Sequence, residues 1–339
     1  WWFNAYDNAF HNDRHERGNQ QFCEENNLAL LGLTSIGLGK NISNSLLKLA
    51  WNAQPAPIYT PKIDNEDSGN GSLIRLAAVP IFYHDDVQQA LQYAELSSFT
   101  THPGYHASEA CKLLCFIIVS ALHRNSDDKS DIKTFLEAVT GRYLNEILKA
   151  EMSRLSQQMK AEDVEKKEEE QPKVNVLGIS SNKLQRKLDA MGLVKRLIQS
   201  AEAVSSKEVC WNWKCNMAEY REQLLVCMNT RKWGYKEENK ESDDDYPDLY
   251  NNYPVESEYF GAYCIDGLAM ALNSVYNSTS VGTAIENAVN LLGDADSTGS
   301  IAGQISGAFY GYNALTADEK EAFLFEQLVQ WDDYAFALH

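Results

Sequence analysis

Paired cysteines are missing from this sequence. Its seven cysteines, Cys23, Cys111, Cys115, Cys210, Cys215, Cys227 and Cys264, form no C-x-x-C, and most lie inside apolar helical patterns. The odd count and the spacing argue for buried thiols in a reducing compartment such as the cytoplasm, and against a disulfide framework. Basic residues are scarce as well: 30 Lys and Arg face 48 Asp and Glu, for a formal net charge of −18. That excludes a nucleic-acid partner, because a phosphate backbone would be repelled rather than neutralised. A small anionic ligand is still allowed, since a metal could hold it despite the surrounding charge. No apolar run is long enough for a bilayer: the longest, "LLCFIIVSAL" at 113–122, is flanked by Lys112 and His123, so no membrane contact is expected. No internal repeat, no signal peptide and no series of alternating strands bounded by tight turns is visible.

What remains is helical. A hydrophobic content of 44% supports a sizeable core. In 105–123, Ala107, Ala110, Cys111, Leu114, Ile117, Ile118 and Ala121 fall on one stripe, and in 130–149 Ile132, Phe135, Leu136, Val139, Tyr143, Ile147 and Leu148 do the same. Shorter stripes occupy 86–96, 217–228 and 284–292. The expectation is an all-α chain forming a single domain over 1–339. Two segments interrupt the pattern, the charged 160–173 ("KAEDVEKKEEEQPK") and the acidic, turn-rich 236–254. Neither can bury enough apolar surface to offset its ordering entropy, so both read as solvated insertion loops. The block between them, 174–235, is rich in Trp and Cys and reads as a small helical insert.

Four loops carry chemistry. In "SIGLGKNIS" at 35–43, Gly37 and Gly39 precede a helical stretch and form either an anion cradle or a plain connecting turn. "DSGNGSLIRLAAVPI" at 67–81 places Asn70, Gly71 and Ser72 in a small-residue turn, open to a close ligand or merely needing positive φ. "TTHPGYHASEACKLL" at 100–114 sets His102 ahead of a long apolar helix that Pro103 keeps from running through it. The fourth, "LLGDADSTGSIAGQISGAFYG" at 291–311, puts Asp294 and Asp296 one residue apart, then Ser297 and Thr298, then glycines at 299, 303, 307 and 311.

The spacing of that last stretch admits three owners. A calcium-binding EF-hand needs a bidentate glutamate at loop position 12, where this chain has Ile305. An aspartyl phosphatase needs its nucleophile at a strand end with much of a parallel sheet still to come, whereas the remaining chain reads as helical. A metal half-site at the mouth of a helical bundle fits: two carboxylates and a hydroxyl are hard oxygen ligands suited to Mg²⁺. Helical glycines each cost roughly 1 kcal/mol against alanine, so their four-residue spacing implies a neighbouring helix backbone packed close along one face. A plain helix cap by Asp296 or Ser297 would explain one residue and not the rest.

These motifs resemble the signatures of the ADP-ribosylglycohydrolase family. "AYCIDGLAMAL" with "AIENAVNLLGDADSTGSIAGQISGAFYG" is similar to its C-terminal signature, and "GNGSLIRLAAVPI", "THPGYHASEA" and "SIGLGKNIS" resemble others in the right order. The resemblance implies a compact orthogonal multi-helix bundle with two Mg²⁺ ions that hold the terminal ribose of ADP-ribose. It further implies a hydrolase in which water cleaves the bond between that ribose and an ADP-ribosylated protein side chain. Carried over by position, Asp294 and Asp296 are catalytic, and Asp294, Asp296 and Ser297 are metal ligands. Asn70, Gly71, Ser72, His102, Gly37, Gly39 and Thr298 would border the substrate. The Ser-Thr pair after Asp296 is closer to the arginine-directed branch.

The family's second set of ligands is not matched. It comprises an Asp-bearing first helix, an upstream glutamate and a Thr/Ser-Asp-Asp-Thr turn. The Asp-Asp pairs here, at 85–86, 127–128, 243–245 and 332–333, lack that surrounding sequence. Because the sequence opens on Trp1 and not Met, one expectation is that the natural start lies upstream and carries those ligands. The competing expectation is a catalytically degenerate member that serves as a structural or ADP-ribose-binding module, its acidic and Trp/Tyr-rich segments facing assembly partners.

Overall fold

The computed structural model describes residues 68–125, 128–168, 178–199, 206–230, 249–250, 253–254 and 260–322, with residues 42 and 45. Gly37 and Gly39 lie outside the described residues. The chain separates into two units, Trp1–Tyr59 and Thr60–His339, and the helices below all belong to the second. They are α1 (Ala78–Phe82), α2 (Val87–Phe99), α3 (Tyr105–Leu122), α4 (Ile132–Arg142), α5 (Lys149–Glu168), α6 (Gly178–Ile198), α7 (Met217–Thr230), α8 (Cys264–Tyr276), α9 (Val281–Val289), α10 (Ala295–Tyr310) and α11 (Ala317–Ala322). A π-helical stretch, Tyr143–Leu148, joins α4 to α5 without a break. The extended structure among the described residues is one short antiparallel ladder, β1 (Leu249–Tyr250) against β2 (Tyr253–Pro254), so the all-α expectation holds.

Two helices form the centre. Every residue of α8 is buried, and α3 is buried on all sides from Tyr105 through Val119. A helix that is apolar all round must be covered on all sides. Although α3 is long and apolar enough to cross a membrane, 83% of it is enclosed by the other helices, which accounts for its hydropathy. Local chemistry fixes the ends of its neighbours. Asp86 caps α2 by accepting from the Gln89 N–H, Asp131 caps α4 through Thr134, and Ser280 with Thr283 forms a reciprocal capping box on α9. His102, Pro103 and Gly104 separate α2 from α3, as Pro103 requires.

The described part of the segment 174–235, expected as a small helical insert, is helical and forms a wall of the core. Trp211 and Trp213 are completely buried. The Trp211 indole Nε1–H donates to Asp266 on α8 at 2.7 Å, and Trp213 donates to the Leu197 carbonyl at 3.0 Å. The Asn273 amide of α8 in turn donates to the carbonyls of Trp213 and Cys215 at 2.9 and 2.8 Å. The six described cysteines are all buried and none forms a disulfide. Residues 160–168 of the charged segment also differ from the expected loop: α5 continues through Glu168, because Ala, Glu and Lys are strong helix formers.

A buried charge cluster holds α2, α3, α5 and α6 together. Lys112 Nζ lies 3.1 Å from Glu109 and 2.6 Å from Glu151, while Lys187 Nζ lies 2.6 Å from Glu95 and 3.2 Å from Glu151. Three carboxyls share two ammoniums, and Glu109 is the one wholly removed from water. Burial pushes its carboxyl up to about 7, against the pull of Lys112 and Lys187. Replacing Lys112 with Ala should destabilise the fold by about 3–5 kcal/mol in urea unfolding, because the wholly buried Glu109 loses its near ammonium and keeps only Lys187 at 3.8 Å. The folded chain binds the Glu109 proton more tightly than the unfolded chain, so this group's stabilising contribution, complete below about pH 4.5, is lost as pH rises through about 7. Stability of Glu109→Gln should therefore fall less than that of the parent between pH 5 and 8, a difference that unfolding curves across this range would measure.

Candidate functional site

The site is built around the turn between α9 and α10. Asn290 closes α9, and the chain then reverses through two consecutive left-handed residues, Leu292 (φ 65°) and Gly293 (φ 67°). Gly293 lies directly beneath the Phe260 carbonyl oxygen, where a Cβ would collide with backbone, so only glycine fits. The Asp294 N–H donates to that same carbonyl at 2.9 Å, which fixes the turn to the loop ahead of α8. Asp294 occupies the N-cap position of α10 without capping it, and neither Asp296 nor Ser297 does so.

Instead, the buried Asp294 carboxylate accepts a hydrogen bond from Asn70 Nδ2 at 2.7 Å, across 224 residues of sequence. The same amide nitrogen donates to the Gly261 carbonyl at 2.5 Å. Asn70 is seated against Gly267 of α8, where an alanine Cβ would collide with the amide. Its Oδ1 is buried without a partner. Next to it, Gly71 covers the His102 ring so closely that a Cβ would lie 2.5 Å from Cε1. Arg75 secures this arrangement by donating to the Gly71 carbonyl at 3.0 Å and the Ser97 carbonyl at 2.8 Å, tying the Asn70 turn to the end of α2. Thr101 Oγ1 lies 2.7 Å from His102 Nδ1. Burial, reinforced by the Arg75 charge, pushes the His102 ring down to about 3.

The structure therefore joins Asn70, Gly71, His102 and Asp294 into one connected group. Asp296 and Ser297 stand on the first turn of α10, Asp296 exposed and Ser297 buried, and neither side chain has a protein partner among the described residues. Thr298 and Ser72 are completely buried. The Thr298 hydroxyl donates back to the Asp294 carbonyl at 3.0 Å and braces the turn from within. The Ser72 hydroxyl is buried without a hydrogen-bond partner among the described residues. The glycine series divides into separate roles: Gly299 and Gly303 admit the side chains of Val289 and Ile285 on the antiparallel α9, Gly307 faces open space, and Gly311 is a positive-φ terminator. A neighbouring side-chain row, and not the expected helix backbone, fills the space they leave.

Sequence reasoning missed Phe260, Gly261, Gly267 and Arg75. The signal for Arg75 was present: a guanidinium three residues beyond Ser72, at the edge of an apolar run, must find carbonyl acceptors. Two carboxylates and a hydroxyl, with no imidazole or thiolate among them, suit a hard cation of the Mg²⁺ type. They supply about half of a six-oxygen shell. No set of three or more His, Cys, Asp or Glu side chains stands preassembled around a metal position among the described residues.

Asn70→Ala should cost about 1–3 kcal/mol in thermal unfolding, because a buried carboxylate and a buried carbonyl each lose a donor. Gly71→Ala should cost a similar amount, about 1–3 kcal/mol, by overpacking the His102 ring. The neutral His102 ring contributes stability that is complete above pH 6.5 and is lost as pH falls toward about 3, since the unfolded ring charges first. The slope is about 1.4 kcal/mol per pH unit. His102→Gln should flatten that slope in acid unfolding curves.

Residues 4–335 match the model of the ADP-ribosylglycohydrolase family. Over 68 residues the chain is 40% identical to "ADP-ribosylarginine hydrolase Tri1" of Pseudomonas putida (strain GB-1), a stretch that is 20% of this chain and 18% of that protein's length. With the match covering nearly every residue and the fold all-α, this chain belongs to the ADP-ribosylglycohydrolase family.

Proposed function

We propose that the chain is an Mg²⁺-dependent hydrolase that removes ADP-ribose from a modified protein side chain, with an arginine linkage favoured. The observation that carries this reading is the Asn70–Asp294 hydrogen bond, which unites the glycine-rich turn and the acidic turn in one site. The arginine preference rests on the Ser297-Thr298 pair and on the similarity to an ADP-ribosylarginine hydrolase.

Asp294, Asp296 and Ser297 are the residues that would hold Mg²⁺. When bound, the ion would supply positive charge to the ribose and water oxygens. Asn70 orients Asp294 by donating to one carboxylate oxygen, so the acidic turn keeps one geometry. Asp296, exposed on the same turn, is the carboxylate that can accept a proton from the attacking water. As the water oxygen bonds to the ribose C1″, the C1″–N bond breaks and the departing guanidine nitrogen takes a proton from solvent. ADP-ribose and arginine are the products. Gly71, with no side chain, lets the His102 ring pack directly against the backbone beside Asn70. His102 is neutral above acidic pH, so it borders the substrate as a hydrogen-bonding group and not as a charge.

The test offers ADP-ribosyl-arginine and ADP-ribosyl-serine to the purified chain with Mg²⁺ and measures released ADP-ribose. The expected outcome is release from the arginine conjugate that EDTA abolishes, with kcat reduced about 10²–10⁴-fold in Asp296→Ala. Release that survives both treatments would refute the assignment. ADP-ribose binding without release by the parent chain would instead establish the degenerate, binding-module reading.

A further inference from the structure

Asn70 and Gly71 are the one Asn-Gly pair in the sequence. Glycine after asparagine is the pairing most open to intramolecular attack, because no Cβ hinders the backbone nitrogen from reaching the asparagine amide carbon. Neither residue can be exchanged here. The His102 ring occupies the space of a Gly71 Cβ, and the Asn70 amide must present its protons to Gly261 and Asp294. The packing that builds the site thus obliges the chain to keep its most labile dipeptide there.

The reaction needs only base and water. The Gly71 nitrogen gives its proton to hydroxide and bonds to Asn70 Cγ, and the adduct expels the side-chain nitrogen as ammonia, closing a succinimide ring. Water then opens the ring at either carbonyl and leaves aspartate or isoaspartate. Three features of the fold hold this back. Swinging Cγ onto the Gly71 nitrogen breaks the Nδ2 bonds to the Gly261 carbonyl and the Asp294 carboxylate. The accompanying backbone rotation turns the Asn70 carbonyl away from the Leu73 and Ile74 N–H groups, which donate to it at 2.8 and 3.1 Å. Asn70 Oδ1 is buried without a donor among the described residues, so nothing stabilises the oxyanion that attack creates.

Conversion would be damaging. Ammonia carries away the nitrogen that joins the two turns, and the carboxylate left at position 70 faces a carbonyl and a carboxylate, groups that can only accept. We propose that Asn70–Gly71 is a site of spontaneous succinimide-mediated modification, that the Asn70–Asp294 hydrogen bond is the lock that keeps it closed, and that conversion severs the glycine-rich turn from the acidic turn. This chemistry requires no hydrolytic activity and stands apart from the reading above.

The experiment incubates parent, Asp294→Ala, Asp294→Asn and Asp131→Ala chains at mildly alkaline pH and physiological temperature. Peptide mapping by mass spectrometry, with electron-transfer fragmentation to separate aspartate from isoaspartate, follows residue 70. Asp131→Ala removes the α4 cap, toward Tyr276 and Tyr310 at the C-terminal ends of α8 and α10, and controls for a general loss of stability. Conversion should be about 10–100-fold faster in Asp294→Ala than in the parent, as loss of one charge-assisted hydrogen bond from the closed state implies. It should keep the parent's rate in Asp131→Ala. Asp294→Asn retains the size and a neutral acceptor, so its rate should fall between, and it decides the matter if Asp294→Ala does not fold. Equal rates in the parent and both Asp294 variants overturn the lock. So does an equal rise in Asp131→Ala, which would place the reaction in the globally unfolded chain. No conversion at residue 70 in the parent unfolded by guanidinium chloride overturns the site itself. Asn70→Asp should melt below Asn70→Ala, and melting with the parent would overturn the stated consequence.

Discussion

One side-chain amide holds the candidate site together. Asn70 Nδ2 has two protons and gives both away inside the protein, one to the Gly261 carbonyl and one to the Asp294 carboxylate. Both acceptors can only accept, so the orientation of the amide follows from chemistry. The bond to the carboxylate is charge-assisted and contributes about 1.5–3 kcal/mol, roughly twice an ordinary one. It joins three segments far apart in sequence: the 3₁₀ turn at Asn70–Ser72, the loop before α8, and the turn into α10. Gly267 makes this possible by having no Cβ where the amide must sit, and Gly293 does the same beneath Phe260. Two backbone-level absences therefore set the position of one carboxylate.

That arrangement needs a rigid base, and α3 supplies it. Its N-terminal end follows the His102 loop, its middle is sealed by apolar side chains, and its Glu109 and Lys112 reach the charge cluster that α5 and α6 complete. A buried cluster of this kind is weak evidence for net stability, since well-packed apolar residues can do as well. Its strength is directional: each ammonium must meet carboxyls from more than one helix, so slipping any helix by a turn would strand a charge in the interior. The Trp211–Asp266 and Asn273–Trp213 bonds act in the same way on the other central helix. The positions of both α3 and α8 are thus set by polar contacts, while the apolar surface supplies most of the free energy.

The helical architecture was legible because it is written in period. The stripes at 105–123 and 217–228 became α3 and α7 almost residue for residue. The loops were legible because Pro103, Gly71 and Gly293 punctuate it. What the sequence concealed is the direction of small side chains. Ser72 and Thr298 sit in motifs that suggest ligand contact, and both are buried, with the Thr298 hydroxyl on the Asp294 carbonyl; nothing in a linear spacing reveals this. The glycines at 299 and 303 promised a helix backbone and met the γ and δ carbons of Val289 and Ile285, because α9 is short and runs antiparallel with these two residues on its side toward α10. The charged 160–168 stretch read as a loop because it cannot build a core, but helix propensity needs none.

The Asp-x-Asp spacing shows why position within an element matters more than spacing. Two aspartates two residues apart inside a helix point to different sides and could not share a ligand. Here Asp294 is outside the helix, with φ −77° and ψ 60°, and only Asp296 is helical. The non-helical backbone at Asp294 releases its side chain from the helical arrangement and allows Asn70 to fix it, while Asp296 projects from the first turn into solvent. Both carboxylates lie at the positive end of the α10 dipole, worth about 0.3–1 kcal/mol each, which offsets part of their mutual repulsion. One acid is thus buried and oriented while its neighbour is exposed and available, and a single glycine-led turn accounts for the difference.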